Sequence, residues 1–325
     1  MVEKRLNYID FLKFIGLTGI IIAHVNCPNW LFMLRNFDVP LMVIISAYLG
    51  ARSINKYDNN LKYYISRIKR LIIPTYIFLI LFFIYKFIIS NELMESKYYI
   101  DSFLLTRYGI GYVWVILIYL YSSFLIPIYR KIGYNYKTII VLLIIYLLYE
   151  LCCNYEVCMS NKIIETTFYY IIPYGILTYI GFNLDNIKNS KKILLIILNI
   201  IIFISLGLYL YNTCGSFQNV QVAKYPARLY YLSYGLLCSL LLFIVCSKFN
   251  FKNKIITFIS KHSLWIYLWH IFYLDLYDYL KLYNKWYIKF IIVYLISIIT
   301  IYLINKLLDL IDKNHKYNFL NYLRY

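Results

Sequence analysis

The sequence is short of several things, and each shortage narrows the reading. Carboxylates are scarce, with 15 Asp and Glu against 33 Lys and Arg. Histidine occurs only at His24, His262, His270 and His315. The seven cysteines include no CxxC pair, and no His stands at metal-ligand spacing, so neither a zinc site nor a dithiol redox motif is indicated. Cys152, Cys153 and Cys158 cluster at the end of an apolar run, where a disulfide would fit. With 11 Gly and 6 Pro there is no Gly/Ser-rich or Pro-rich linker, and no repeat recurs at a fixed period. The longest polar break, residues 212–227, is too short to fold alone. Residues 1–325 therefore read as a single integral-membrane domain.

What is abundant is apolar. Hydrophobic residues make up 62% of the chain and mean hydropathy is +0.64, against about 45–50% apolar in soluble domains. A soluble protein is excluded, and the partner of most of this surface is a lipid bilayer. The expected fold is all-α and polytopic, with ten spans near 8–27, 38–54, 71–90, 112–130, 138–153, 163–183, 193–211, 228–247, 263–280 and 287–308. The net charge of +18 does not point to nucleic acid, because the basic residues fall mainly in short loops. Counted on alternate sides, 22 Lys and Arg lie on the N-terminal side and 10 on the other, with Lys13 left inside the first span. The positive-inside rule places both termini in the cytoplasm and the protein in the cell inner, or cytoplasmic, membrane. The first run contains Asp10 and Lys13 and has no small-residue cleavage site, so it is expected to stay attached rather than act as a signal peptide. No residue pattern specifies an oligomeric state. The 40 Tyr accompany many Ile, Asn and Lys, a bias that makes any single Tyr uninformative.

Ionisable residues inside spans carry more information, because each is costly in lipid. Asp10, Lys13 and His24 interrupt a first span otherwise made of Phe, Leu, Ile and Gly. Eleven helical residues turn through roughly 1100°, within about 20° of whole turns, so Lys13 and His24 share a face about 16 Å apart. Asp10, three residues before Lys13, is placed to pair with it. A His there suits general acid–base work in a membrane cavity. A helix-packing ion pair with a hydrogen-bonded His, or a transport path, would use the same residues.

Two further groups stand out. Arg67, Lys69 and Arg70 precede an apolar run at the cytoplasmic entry to the third span, as a topology anchor would. The arginines are three apart on one face, which also suits phosphate oxygens. Ser263, Tyr267 and His270 lie on one face of the ninth span. Ser46, Tyr48 and Arg228 complete the polar inventory. Glu150 and Glu165 are expected to be solvated near span ends, and His262 and His315 to belong to loop and tail. Trp114, Trp265, Trp269 and Trp286 read as packing or interface aromatics.

These segments resemble, in order and spacing, the integral-membrane acyltransferase-3 family. YIDFLK at 8–13 with Lys13 followed by His24 resembles the family's opening element, a charged residue and then a His. VPLMVIISAYLG at 39–50 is similar to its VPLFF segment ending in Ser-Gly-Phe or Ser-Gly-Tyr, with Ser46 and Tyr48 at matching positions. Ala47 stands where the family has the Gly that permits close helix approach. RIKRLIIP at 67–74 and the Trp114-centred VWVILIYLYSSFLIPI at 113–128 also look like family segments, although the His that often precedes that Trp is absent. YIIPYGILTYIGFNL at 170–184, KYPARLYYLSYG at 224–235 and SLWIYLWHIF at 263–272 complete the match. The resemblance implies a ten-helix membrane O-acyltransferase that carries an acyl group from acyl-CoA, usually acetyl-CoA, to a glycan acceptor, with no tightly bound cofactor and no metal. It implies His24 as base or acyl relay, with Lys13 and Asp10 beside it, and Arg67, Arg70 and Lys69 at the donor. A transporter or flippase of a lipid-linked glycan is the alternative.

Overall fold

The computed structural model describes residues 5–154, 162–282, 285–312 and 319–324. About 80% of the chain is helical, and no strand occurs among the described residues. The helices are α1 (Asn7–Ile22), α2 (Asn29–Leu34), α3 (Asp38–Ser53), α4 (Asn60–Ser90), α5 (Ser96–Phe103), α6 (Trp114–Ile132), α7 (Tyr136–Asn154), α8 (Lys162–Phe182), α9 (Asn189–Cys214), α10 (Leu229–Cys246), α11 (Lys254–Lys261), α12 (Ser263–Tyr279), α13 (Trp286–Ile311) and α14 (Asn321–Arg324).

Each of the ten expected spans falls on a helix. Among the described residues, seven helical stretches are long and apolar enough to cross a membrane, and the chain is a multi-pass membrane protein. The boundaries differ where side chains outside the apolar run support the helix. α4 begins at Asn60, and at 31 residues is about 46 Å long, so Arg67, Lys69 and Arg70 lie within it rather than before it. α1 and α12 are shorter, with 16 and 17 residues. The apolar faces of α7, α9 and α13 are exposed along rows such as Ile140, Leu143, Leu147 and Leu151. In a bilayer that surface meets acyl chains, while backbone polar groups are satisfied inside each helix.

Two compact units are formed. The first comprises Met1–Pro28, Tyr64–Leu117 and Phe251–Tyr325. Within it α1 packs on α11, α12 and α13, and α12 packs on α13. The C-terminal ends of α1 and α12 meet the start of α13 around buried Val25, Leu274, Tyr277 and Val293. At the opposite end of this unit Asp10 is bound to α11, and Arg324 to Asp309 and Asp312 beyond the middle of α13. Asn253 caps α11 by accepting from the Ile255 and Ile256 amides.

The second unit comprises Asn29–Tyr63 and Ile118–Asn250. α3 packs on α8 and α10, and α10 on α9. The substitution of Ala47 for the expected Gly does not loosen α3. A Cβ built on Gly181 of α8 would lie 2.5 Å from the Ile44 carbonyl oxygen and 2.9 Å from the Ala47 Cβ, so the glycine that allows close approach is supplied by the partner helix.

Candidate active site

His24 follows the last turn of α1, and His270 sits inside α12. Their rings are nearly parallel, with His24 Nδ1 3.0 Å from His270 Nε2. His270 is fully buried, and its Nδ1 contacts the Tyr267 carbonyl oxygen one turn earlier on α12. A carbonyl only accepts, so in the neutral imidazole His270 Nδ1 carries the proton and Nε2 presents its lone pair. His24 Nδ1 must then donate, and the remaining lone pair of His24 lies on Nε2. The hydrogen-bond network thus assigns the tautomer of both rings. An imidazole held this way is suited to take a proton at Nε2.

Tyr112 completes the arrangement. Its ring stands edge-on to His24 with centroids 4.6 Å apart, and its carbonyl accepts from the Tyr267 hydroxyl. The loop that delivers it needs its glycines. A Cβ on Gly109 would fall 2.2 Å from Ser102 Oγ, and Gly111 has φ +54°. Ser102 Oγ accepts from the Ile110 amide at 3.0 Å and so fixes the loop against the end of α5.

Toward the start of α1, about 16 Å from His24 along the helix, Lys13 is half-buried. Its charged surroundings are Arg70, Asp10, Arg5 and Arg67. Four cations around one carboxylate make a strongly positive site, suited to phosphate oxygens. The pairing expected between Asp10 and Lys13 is not formed. The Arg5 fork takes the carboxylate, Nε to Oδ2 at 2.6 Å and Nη2 to Oδ1 at 2.9 Å, and Ser260 Oγ donates to Oδ1 at 2.6 Å. A planar guanidinium meets both carboxylate oxygens at once, which an ammonium does not. Lys69 and Arg70 are exposed and Arg67 is half-buried.

The structure thus brings together His24, His270 and Tyr267 at one end of the first unit, and Asp10, Lys13, Arg67 and Arg70 at the other. Ser263 opens α12, seven residues before His270, and Trp114 is buried at the start of α6. Ser46, Tyr48 and Arg228 belong to the second unit. There the Tyr48 hydroxyl donates to Asp185 at 3.2 Å, and Arg52 Nη2 reaches the same carboxylate at 2.9 Å. Ser46 is half-buried.

Other expectations are corrected. Glu150 is not simply solvated: it accepts from Arg228 Nε at 2.5 Å and from Tyr146 Oη at 2.9 Å, with only 15% of its side chain exposed. His262 stands, as expected, in the turn between α11 and α12, but buried there, and burial, reinforced by Lys261, holds its imidazole down at about 4. Cys152 and Cys153 carry free thiols. Cys158 and His315 lie outside the described residues.

Three groups of the first unit were not singled out from sequence. Tyr112 was hidden among 40 tyrosines, and only its place after Gly109 and Gly111 marked it. Arg5 read as a flanking charge. Asp275, near the end of α12, accepts from Tyr85 and Lys86 of α4.

A family model described as "Acyltransferase domain" matches residues 6–306. Curated proteins of Staphylococcus aureus named "Probable poly-beta-1,6-N-acetyl-D-glucosamine export protein" are similar. Those of strains MSSA476 and MRSA252 are 25% identical over 284 residues, covering 80% of this chain and 77% of their own length. That of strain Mu50 is 24% identical over 282 residues with the same coverage. No solved structure matches the chain significantly.

Proposed function

Since the chain belongs to the acyltransferase-3 family, we propose that it is a membrane O-acyltransferase moving an acyl group, acetyl in the first instance, from acyl-CoA to a hydroxyl of a cell-envelope or exported polysaccharide. The observation that carries this reading is the 3.0 Å contact between His24 and His270, which puts a lone pair on His24 Nε2 beside an aromatic loop. In the proposed reaction His24 Nε2 takes the proton of the acceptor hydroxyl as that oxygen attacks the thioester carbonyl. The C–S bond then breaks, the ester stays on the glycan, and the CoA sulfur leaves with the proton returned by the imidazolium.

Arg67 and Arg70, with Lys69 and Lys13, are the groups for the CoA phosphates. Lys13 lies about 16 Å from His24 along α1, so in this reading the donor's arm runs along α1 while its charged end stays at the basic mouth. The excess of Lys and Arg on the N-terminal side supports a cytoplasmic mouth in the cytoplasmic membrane, the side on which acyl-CoA is available. Acyl-CoA is a co-substrate here, not a resident cofactor. The distribution of roles is economical: one helix, α1, contributes to both ends of the reaction.

The names of the staphylococcal relatives speak of export, and they favour a second reading in which the chain moves a lipid-linked glycan without forming a bond. The experiment that separates the two quantifies O-acyl groups on envelope glycans by NMR and mass spectrometry. It compares a wild-type host, a deletion strain, and the deletion complemented with wild-type or His24→Ala protein at matched membrane abundance. Acyl groups lost on deletion and restored only by a chain with His24 are expected. Unchanged acylation in all four strains, with altered glycan export, overturns the enzyme reading. A β-1,6-linked N-acetylglucosamine pentasaccharide, drawn from the relatives' name, serves as the acceptor probe in vitro.

A further inference from the structure

The end of the first unit that carries His24 also holds a half-exposed polar surface that the transfer step does not use. Asp275 Oδ2 accepts from the Tyr85 hydroxyl at 3.0 Å, and both its oxygens accept from Lys86 Nζ, at 3.0 and 3.1 Å. The Asp275 and Lys86 side chains keep 29% and 27% of their accessible surface. Tyr98 lies within the field of the same carboxylate, and Tyr112 within the fields of Asp278 and Asp275. Tyr112, 37% exposed, is the ring that meets His24. Phe272 backs Tyr85 with centroids 4.5 Å apart and fixes the phenol in place.

An ion pair that merely ties α4 to α12 contributes little when partly exposed and needs no tyrosines around it. This one carries a phenol hydrogen-bonded to its carboxylate, and Tyr112, within the same field, borders the proposed base. A carboxylate offers about four acceptor sites, and three hydrogen bonds from the protein leave capacity for a donor from outside. Carboxylate, ammonium and partly open aromatic rings together match a neutral, hydroxyl-rich ligand: the charged groups exchange hydrogen bonds with hydroxyls, and the rings cover C–H faces.

We propose that Asp275, Lys86, Tyr85, Tyr98 and Tyr112 form the glycan acceptor subsite, which binds an uncharged sugar of the polysaccharide and presents one hydroxyl to His24 Nε2. The proposal rests on the acyl-transfer reading for its catalytic role, but binding is separable from transfer. Asp275 accepts sugar hydroxyls and Lys86 donates to them, while Tyr112, whose ring meets His24 edge-on, sets which hydroxyl reaches the base.

The test uses the full chain in lipid nanodiscs with labelled acetyl-CoA and the pentasaccharide probe. Binding of the probe alone is followed in parallel by saturation-transfer NMR. In Asp275→Asn the acceptor KM is expected to rise about tenfold while the donor KM stays within about twofold. Tyr85→Phe, which removes one hydrogen bond and no charge, is expected to show a smaller rise of the same kind and guards against an unfolded Asp275 variant. Acceptor KM unchanged in both variants at wild-type thermal midpoints overturns the subsite and leaves the acyltransferase reading standing. Probe binding that is lost with Asp275 although the wild type transfers no acyl group supports the subsite and removes the acyltransferase reading. A wild type that shows no saturable binding of the probe overturns the subsite.

Discussion

Replacing His270 with glutamine and with asparagine separates its two hydrogen bonds. The glutamine carbonyl oxygen sits as many bonds beyond Cβ as histidine Nε2, and the asparagine amide nitrogen sits as many as Nδ1. His270→Gln therefore keeps an acceptor for His24 and loses the donor to the Tyr267 carbonyl, while His270→Asn does the reverse. Losing one hydrogen bond costs about 0.5–1.5 kcal/mol net, at most roughly tenfold in rate. Losing the tautomer and orientation of the base forfeits general-base catalysis, on the order of 10²–10⁴-fold. The kcat for acyl transfer is thus expected to fall by about 10²-fold or more in His270→Asn, and by no more than about tenfold in His270→Gln. Both are measured with labelled acetyl-CoA in nanodiscs at matched thermal midpoints. An active asparagine variant beside an inactive glutamine variant would refute the relay, because the contact that matters would then be the one to Tyr267 that packs α12.

Three further outcomes are expected. Arg67→Gln and Arg70→Gln should each raise the donor KM about tenfold, since a hydrogen bond to a charged group is worth about 1.5–3 kcal/mol, with little change in acceptor KM; an unchanged donor KM in the double variant argues that these residues only anchor topology. Gly181→Ala should lower the thermal midpoint in detergent by the equivalent of about 1–3 kcal/mol, because the new methyl meets the Ile44 backbone at 2.5 Å; a wild-type midpoint would mean that α3 and α8 separate freely. His262 is held neutral in the fold at about 4 against 6.5, so between those values the unfolded chain binds more protons. Its stabilisation is complete above about pH 6.5 and is lost as pH falls toward 4; His262→Phe should flatten that part of the stability–pH curve, and an unaltered slope would assign the acid sensitivity elsewhere.

The helices were legible because apolar runs bounded by basic loops have few alternatives, and the ten runs all reappear as helices. Their ends were less so: α4 starts eleven residues early because Asn60–Arg70 continues a helix whose polar side chains can leave the bilayer. At the site, His24 and His270 could each be picked out as ionisable groups in lipid, yet nothing in a single sequence says that residues 246 apart touch. The reading of Asp10 failed for a different reason. Helical spacing favoured Lys13, but Arg5 lies just before the helix, where periodicity has no say, and its fork geometry prevails. Tyr112 and Asp275 were missed because their surroundings, not their types, give them a role.

The helix that leads into His24 and the helix that holds His270 are both short. At 16 and 17 residues, α1 and α12 are about 24–26 Å long, less than the roughly 30 Å of a hydrocarbon core. A bilayer around them has to thin or admit water at their ends. In the proposed reaction, membrane thickness then becomes a variable. Shorter acyl chains would bring the interface down to His24 and the sugar with it, whereas thicker membranes would stretch that path, so the host's lipid composition would tune turnover without altering a residue.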